Sequence, residues 1–386
     1  MNYRILVVLV GIIFLFSSPA SAKFIHPGIY HNSEDLVFMR QKIEAKAEPW
    51  YSGWQQLQSE GSSKLNHKTH ALEDWDTSNN SYMEGDAVAA YSHALQWALT
   101  GKSEHAAKAI EILNTWSSTL KHIKGETSQE MVTWGWNGCH LANAAELLCY
   151  YVPKEGKPSG WAPADIARFK KMLGLGYEVI KDFKSTFNGN WDAAMMNTML
   201  CTAIFTEDKA MFDRVIDHFY GKYEISNEHQ RKKGDLANYV LSTGQCQESG
   251  RDQGHTQMGL GNYASLCEAA WKQGVDLYGA LNNRLLLGFE YTAKYMLGHD
   301  DLPAFIELPP QKWTKISADK RGIFGPVYEA VYNHYVNRKG LSMPFTKQVI
   351  FNKSAILVNR KTGNNYRPET VTLNSGICWG TLTMAR

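Results

Sequence analysis

Apolar residues recur every three to four positions along most of this 386-residue chain. After Asp86 they fall at positions 87, 90, 91, 94, 95 and 98, which form one face of a helix that ends at Gly101. A second helix follows at once, with Ala106, Ile110 and Leu113 on one face. The same spacing predicts further helices over about residues 35–46, 137–151, 163–184, 191–204, 207–221, 254–273, 279–297 and 326–339.

The connections between these helices are mostly short, which favours antiparallel neighbours. The alternating pattern of a strand is found only near the end, at residues 348–358 and 371–384. Polar clusters lie between the helices at intervals, as expected if the helix pairs close around a common cavity. We therefore predict an all-α fold, an incomplete (α/α) toroid of antiparallel helix pairs. A single domain would span residues 23–386, with a helical core over about residues 30–340 and a β-leaning segment over 341–386.

The N-terminus has the pattern of a secretory signal. Arg4 precedes an apolar run over residues 5–16, and Ala20, Ser21 and Ala22 form a small-residue cleavage site. The pattern predicts a signal peptide over residues 1–22 and a periplasmic or secreted protein. No cysteine stands at the cleavage point to carry a lipid, and no other segment is long and apolar enough to span a membrane.

Composition narrows the class of protein. Hydrophobic residues make up 44% and charged residues 20% of the chain, which is typical of a globular protein. The net charge is +2 without a basic block, so nucleic acid is not an expected partner. The six cysteines show no zinc spacing, and neither metal nor organic cofactor is expected. Their pairing and the oligomeric state stay open. The 12 Trp and 19 Tyr fit either a large core or a cleft that stacks on sugars.

Four clusters combine polar and aromatic residues. Their candidate substrate-binding members are Trp136, Asn137 and His140 in the first cluster, Asn188 and Trp191 in the second, Glu248, Gln253 and Gln257 in the third, and Arg321 in the fourth. The third cluster is the densest, since residues 248–257 hold carboxylates, a guanidinium, an imidazole and two amides, interrupted by Gly250 and Gly254. Asn188 also fits a turn or a helix cap.

The candidate catalytic residues are an amide, a guanidinium, an imidazole and a phenol: Asn190, Arg251, His255 and Tyr328, with Tyr291 as a second choice for the phenol. This set fits β-elimination from a uronic acid. Amide and guanidinium groups neutralise the carboxylate beside C5 and stabilise the intermediate. A histidine or tyrosine takes the C5 proton, and a tyrosine hydroxyl protonates the departing O4.

The chain resembles the alginate-lyase-like superfamily of polysaccharide lyases. The resemblance is carried by the helix over residues 86–101, by Asn190, by residues 248–255 and by the helix that starts at Tyr328. It implies an incomplete toroid whose cleft cuts an acidic polysaccharide by β-elimination, with alginate as the first expected substrate and glucuronan as the next. It also implies that Asn190 and Arg251 neutralise the substrate carboxylate.

Two positions depart from that superfamily. Trp191 follows Asn190 where well-known alginate lyases carry a histidine, and Met258 stands where they carry a tyrosine after the arginine. His255 would then replace the usual histidine from another helix, and the tyrosine would come from elsewhere, with Tyr328 as our choice.

Two other functions remain open on the sequence. A glycoside hydrolase would need a pair of carboxylates, which Glu248, Asp252, Asp192 and Glu329 could supply. A non-catalytic glycan-binding protein would need only the aromatic and polar clusters.

Overall fold

The structure is a computed structural model that describes residues 23–124, 128–154, 156–182, 190–221, 235–308, 312–351 and 376–386. Its helices are α1 (Ser33–Glu44), α2 (Trp50–Ser59), α3 (Asn80–Thr100), α4 (Ser103–Thr119), α5 (Ser128–Tyr150), α6 (Pro163–Ile180), α7 (Asn190–Thr206), α8 (Lys209–Phe219), α9 (Asp235–Tyr239), α10 (Gln253–Lys272), α11 (Ala280–Met296), α12 (Glu329–Tyr332), α13 (Pro344–Phe351) and α14 (Gly380–Thr383). Two short strands, β1 (Asp74–Trp75) and β2 (His122–Ile123), pair in parallel. The predicted all-α fold is confirmed.

Four helices form an inner layer. Helices α3, α5, α7 and α10 are neighbours in that order. In α7 every residue from Asp192 to Phe205 is buried. A helix enclosed on all sides is apolar all round, which explains why α7 shows little amphipathic pattern.

An outer layer covers the first. Helices α4, α6, α8 and α11 each pack on the inner helix that precedes them in the chain. They bury one face only, as in α8, where Met211, Phe212, Val215 and Phe219 are buried at helical spacing. The members of a pair run antiparallel, because the two layers are joined by short turns such as Gly101–Lys102 between α3 and α4. This pairing produces the predicted toroid.

The inner helices run parallel to one another. Gly135 of α5 lies so close to Ala194 of α7 that a Cβ atom there would be 2.9 Å from the Ala194 carbonyl carbon. One turn further on, Gly138 faces Thr198 in the same way. The parallel strands β1 and β2, which precede α3 and α5, extend this arrangement. The N-terminal ends of the inner helices therefore share one end of the toroid.

Several predicted boundaries differ from the structure. Helix α5 begins at Ser128 and not near residue 137, and α2 was not predicted. The predicted helix over 326–339 consists of α12 and a π-helical turn over Asn333–Arg338. At the start of α5 and over residues 329–334, buried polar residues interrupt the apolar pattern on which the prediction depends.

The β-leaning prediction for the C-terminal region is wrong where the structure describes it. Residues 348–351 belong to α13, and α14 lies within the second predicted strand. Burial explains the difference, since Trp379 and Leu382 are fully enclosed beside α1, α2 and α12. Residues 352–375 and the predicted signal peptide, 1–22, lie outside the described residues. In the part that is described, no helix has the length and apolarity to cross a membrane.

Candidate active site

A carboxylate and an imidazole are joined at the start of α10. Asp252 is the N-cap residue, and its Oδ1 accepts a hydrogen bond of 2.8 Å from the backbone N–H of His255. Its Oδ2 lies 2.5 Å from Nδ1 of the His255 ring. Since Nδ1 is held by a carboxylate, the ring is oriented with Nε2 directed elsewhere. No described residue forms a hydrogen bond with Nε2, and the side chain is 27% exposed.

A second carboxylate links this segment to the start of α7. Glu248 Oε2 accepts a hydrogen bond of 2.7 Å from Nδ2 of Asn190, the first residue of α7. Glu248 Oε1 accepts one of 3.0 Å from Nη1 of Arg251, whose side chain is 43% exposed. Asn190 is buried, and its Oδ1 finds no hydrogen-bond partner among the described residues. An amide, a carboxyl and a guanidinium thus meet where two inner helices begin.

The two carboxyl groups respond differently to their surroundings. Burial raises the pKa of Glu248, against the hydrogen bond from Asn190 and the positive charge of Arg251. Burial also acts to raise the pKa of Asp252, but the backbone and side-chain hydrogen bonds from His255 outweigh it and hold this pKa below its ordinary value. Asp252 is therefore the ionised partner of His255, and Glu248 is the carboxyl that takes up a proton more readily.

The structure brings four of the candidate residues together: Asn190, Glu248, Arg251 and His255. They lie at the N-terminal ends of α7 and α10, where the helix dipoles favour a bound anion. The cluster holds hydrogen-bond donors for a carboxylate beside an imidazole whose outer nitrogen is open. This arrangement can bind an acidic sugar and remove a proton from it.

Gln253 and Gln257 have a role other than the predicted contact with substrate. Both are buried, and their amides bind the backbone of residues 317–325. Gln253 Nε2 donates to the carbonyl oxygen of Ser317 at 2.9 Å. Gln257 Nε2 donates to that of Ile323 at 3.0 Å, while its Oε1 accepts from the N–H of Gly325 at 2.8 Å. These two glutamines fasten the loop over residues 312–325 to α10.

Both candidate tyrosines are buried side chains. Tyr328 is buried with 1% exposure, and its hydroxyl donates to Gln257 Oε1 at 2.9 Å. Tyr291 is also buried, beside Cys246 and Tyr295, and burial raises its pKa to about 12. A phenol with such a pKa is a poor base near neutral pH.

Arg321 and His140 also take structural positions. Arg321 Nε donates to the carbonyl oxygen of Tyr295 at 2.8 Å, and its guanidinium lies 4.0 Å from the centre of the Tyr295 ring. His140 is buried beside Tyr91 and Cys378, and burial lowers its pKa to about 4. Both side chains stabilise the fold where the sequence predicted a contact with substrate.

The remaining candidates are Trp136, Asn137, Trp191 and Asn188. Trp136 is half-buried on α5, and its Nε1 finds no partner among the described residues. Asn137, the next residue, is buried and donates to Asn80 Oδ1 at 2.7 Å. Trp191 is partly buried against the core. Asn188 lies outside the described residues.

Of the four carboxylates considered for a glycoside hydrolase, Glu248 and Asp252 lie on either side of Arg251, and the other two have partners of their own. Asp192 is buried and lies 3.2 Å from Nε2 of His218. Glu329 is buried and accepts a hydrogen bond of 3.1 Å from the hydroxyl of Thr381. Two of the four candidate carboxylates are therefore occupied in packing contacts.

Sequence reasoning missed the role of Asp252 as the partner of His255. A carboxylate three residues before a histidine at the start of a helix is a signal that could have revealed it.

The described residues also bear on whether groups of side chains could bind a metal. Within the described ranges, no three His, Cys, Asp or Glu side chains come together in a way that could hold a metal ion.

Comparison with known proteins identifies a family. A family model described as alginate lyase matches residues 31–302. A comparison with curated protein sequences found no match.

Solved structures of alginate lyases share the fold. Alginate lyase A1-III from Sphingomonas species A1 has a TM-score of 0.67 and 12% identity, over 95% of this chain and 98% of that one. A histidine-to-alanine variant of A1-III complexed with a tetrasaccharide gives a TM-score of 0.66 and 12% identity, over 96% of this chain and 99% of that one. An alginate lyase from Bacteroides ovatus gives 0.58 and 13%, over 84% of this chain and 96% of that one.

The family match spans the inner helices and the segment that carries Glu248, Arg251 and His255. The resemblance inferred from the sequence is thereby confirmed. This chain belongs to the alginate lyase family and is a polysaccharide lyase.

Proposed function

We propose that this protein cleaves alginate by β-elimination at the N-terminal ends of α7 and α10. The observation that carries the proposal is the Asp252–His255 pair beside the Asn190–Glu248–Arg251 cluster. A lyase for a uronate needs one set of groups to neutralise a carboxylate and one base to take the proton next to it. The two clusters supply these two functions.

We assign neutralisation of the substrate carboxylate to Asn190, Glu248 and Arg251. The proton on C5 is removed reluctantly while the neighbouring carboxylate keeps its full charge. Burial raises the pKa of Glu248, so this carboxyl takes up a proton more readily, and its protonated form can donate a hydrogen bond to an anionic oxygen. The Arg251 guanidinium is exposed enough to turn towards the substrate. Together these groups stabilise the negative charge that develops on the carboxylate.

His255 is the base. With Asp252 accepting a hydrogen bond from Nδ1–H, Nε2 carries the lone pair that takes the proton from C5. The electrons of the C5–H bond form the C4–C5 double bond, and the C4–O4 bond breaks. The imidazolium then holds the proton that O4 requires as it leaves. Because the Tyr328 hydroxyl is bound to Gln257 and burial raises the pKa of Tyr291 to about 12, we assign the return of that proton to His255 and not to either phenol.

The proposal extends to the need for a metal, to the substrate and to the place of action. Each step uses a proton and a hydrogen bond, so we propose a reaction that needs no metal. The similar solved structures are alginate lyases, which favours alginate over glucuronan as the first substrate to test. The predicted signal peptide favours action in the periplasm or outside the cell.

Near-ultraviolet absorbance of the mature protein incubated with polymannuronate, polyguluronate or glucuronan tests the proposal. A rise due to the C4–C5 double bond on an alginate polymer is the expected result, and it should persist after exhaustive chelation. New reducing ends without that absorbance would point to hydrolysis. Binding without either signal would point to a glycan-binding protein.

A further inference from the structure

Lys320 occupies a turn that faces the start of α10. Its backbone has a φ of +59°, a conformation that side-chain-bearing residues rarely adopt. The preceding residue fixes the turn, since the Asp319 carbonyl oxygen accepts a hydrogen bond of 3.0 Å from the N–H of Gln253. On the other side, Ile323 N–H donates to the Lys320 carbonyl oxygen at 3.0 Å. The position of Lys320 is therefore set by the contacts of its neighbours.

The side chain of Lys320 lies across α10 at a glycine. A Cβ atom on Gly254 would be 2.7 Å from Lys320 Cδ, so the stem occupies the space that a side chain would fill. The ammonium nitrogen is 3.8 Å from Asp252 Oδ1, and the side chain is 47% exposed. The packed stem thus holds a positive charge beside the Asp252–His255 pair while the head reaches solvent.

The Lys320 ammonium is not held by a hydrogen bond in the described part of the chain. A separation of 3.8 Å from Asp252 is too long for a hydrogen bond, and Oδ1 already accepts from the backbone of His255. The ammonium forms no hydrogen bond with any described residue. Arg321, the next residue, differs in this respect because its guanidinium is bound to the Tyr295 carbonyl oxygen and to Asp300.

The two cations of the site approach Asp252 from different sides. Arg251 Nε lies 3.9 Å from Oδ2, whereas Lys320 lies near Oδ1. Arg251 is also bound to Glu248, in the group that we assign to the reacting uronate. Lys320 is thus the cation left for a second anionic group on the same polymer.

We propose that Lys320 is a specificity-determining residue that binds the carboxylate of the uronate next to the one whose C5 proton is removed. The proposal rests on the proposed function, since it places the reacting sugar at Asn190, Glu248 and Arg251. An ammonium with three available donors recognises a carboxylate but gains little from a neutral sugar. Lys320 therefore makes the site selective for polymers with charge on successive residues.

Calorimetric titration of an alginate tetrasaccharide tests this role, with His255→Ala as the background so that the ligand stays intact. Lys320→Asn removes the charge, and asparagine tolerates the left-handed backbone conformation. Lys320→Arg restores the charge. Lys315→Asn removes an exposed lysine from the same loop and serves as the matched control. A tetrasaccharide with its carboxyl groups reduced is the neutral ligand.

We expect Lys320→Asn to bind the charged tetrasaccharide about tenfold more weakly and the neutral ligand unchanged. Lys320→Arg should recover most of the affinity, and Lys315→Asn should match the background protein. Two results would overturn the role of Lys320 without touching the proposed elimination. One is an affinity of Lys320→Asn within about twofold of the background, and the other is an equal loss of affinity for both ligands.

The outcomes separate the two proposals. A selective loss of affinity in Lys320→Asn, with no near-ultraviolet absorbance from the wild-type protein, supports Lys320 and overturns the elimination chemistry. Failure of the background protein to bind the tetrasaccharide overturns both.

Discussion

The two ends of α10 carry similar charged groups, which differ in how fully their charges are paired. At its N-terminal end, Glu248 and Asp252 share a half-exposed site with Arg251 and His255. At its C-terminal end, a second cluster consists of Asp35, Glu268, Lys272, Arg338 and Arg386. There Arg338 binds Glu268 through two hydrogen bonds of 2.8 Å, and Lys272 Nζ lies 2.6 Å from Asp35.

The difference lies in which groups have partners. In the C-terminal cluster each charge meets an opposite charge, and Glu268 is buried between Lys272 and Arg338. Burial acts to raise the pKa of Glu268, but these two cations outweigh it and lower the pKa to about 2. In the N-terminal cluster burial wins and the pKa of Glu248 is raised. A cluster in which every charged group has a partner stabilises the fold, whereas a cluster with groups left unpartnered can bind a ligand.

Asn190→Ala tests the groups of the N-terminal cluster that neutralise the substrate carboxylate. It removes one of the groups that neutralise the substrate carboxylate, so we expect turnover to fall about 100- to 1000-fold. Asn197→Ala is the matched control on α7, because its side chain bonds the Tyr30 hydroxyl inside the core. The control should lower the thermal midpoint and leave turnover per folded molecule in place. Equal turnover losses in both variants would remove Asn190 from the mechanism.

Glu268→Gln acts on the C-terminal cluster. It leaves Lys272 and Arg338 without their shared carboxylate, and we expect the free energy of unfolding to fall by about 3 to 5 kcal/mol. Specific activity of the folded protein should remain. Denaturant unfolding followed by an activity assay at low temperature measures both. A stability change below about 1 kcal/mol would show that the cluster is not the structural element described here.

The pH dependence of stability should have opposite signs at the two ends. The folded pKa of Glu268 is depressed, so its contribution is present above about pH 4.5 and is lost as the pH falls towards 2. The folded pKa of Glu248 is raised, so its contribution is present below about pH 4.5 and is lost as the pH rises through the folded value.

Glu248→Gln, which removes the buried titrating carboxyl, should therefore be no less stable than the wild type at neutral pH. Unfolding curves at pH 4 and pH 7 test this sign. A variant that is less stable than the wild type at pH 7 would place Glu248 in the ionised, structural class of Glu268.

Tyr328→Phe should have the smallest effect of these substitutions. It tests whether Tyr328 belongs with the groups that act on the substrate or with those that stabilise the fold. The hydroxyl donates to the buried Gln257, so its loss should lower stability by about 1 kcal/mol and leave turnover nearly unchanged. A loss of turnover of 100-fold or more at unchanged stability would restore Tyr328 as the acid that the sequence suggested.

The sequence predicted most of the helices and singled out the densest part of the candidate site. Periodicity reveals the amphipathic outer helices, and residues 248–255 are close enough in sequence to be recognised as one cluster. The partners of Gln253 and Gln257 lie more than 60 residues away, and local pattern does not reveal them. An exposed lysine in a loop is typical of any surface, so Lys320 stands out only when its backbone conformation and its contact with Gly254 are known.

The burial of Tyr328 could not be predicted for a related reason. A tyrosine in the first turn of a helix projects into a cleft or into the core depending on how that helix docks. The short length of α12 and the loop fastened by Gln257 decide this for Tyr328.

The most direct test of elimination at the start of α10 compares wild-type protein with His255→Ala on alginate. Initial rates are followed by near-ultraviolet absorbance, and binding of the polymer is measured in parallel. We expect the rate of double-bond formation to fall about 100- to 10,000-fold while binding and the thermal midpoint stay close to those of the wild type. A His255→Ala protein that forms the double bond at the wild-type rate would show that another group removes the C5 proton.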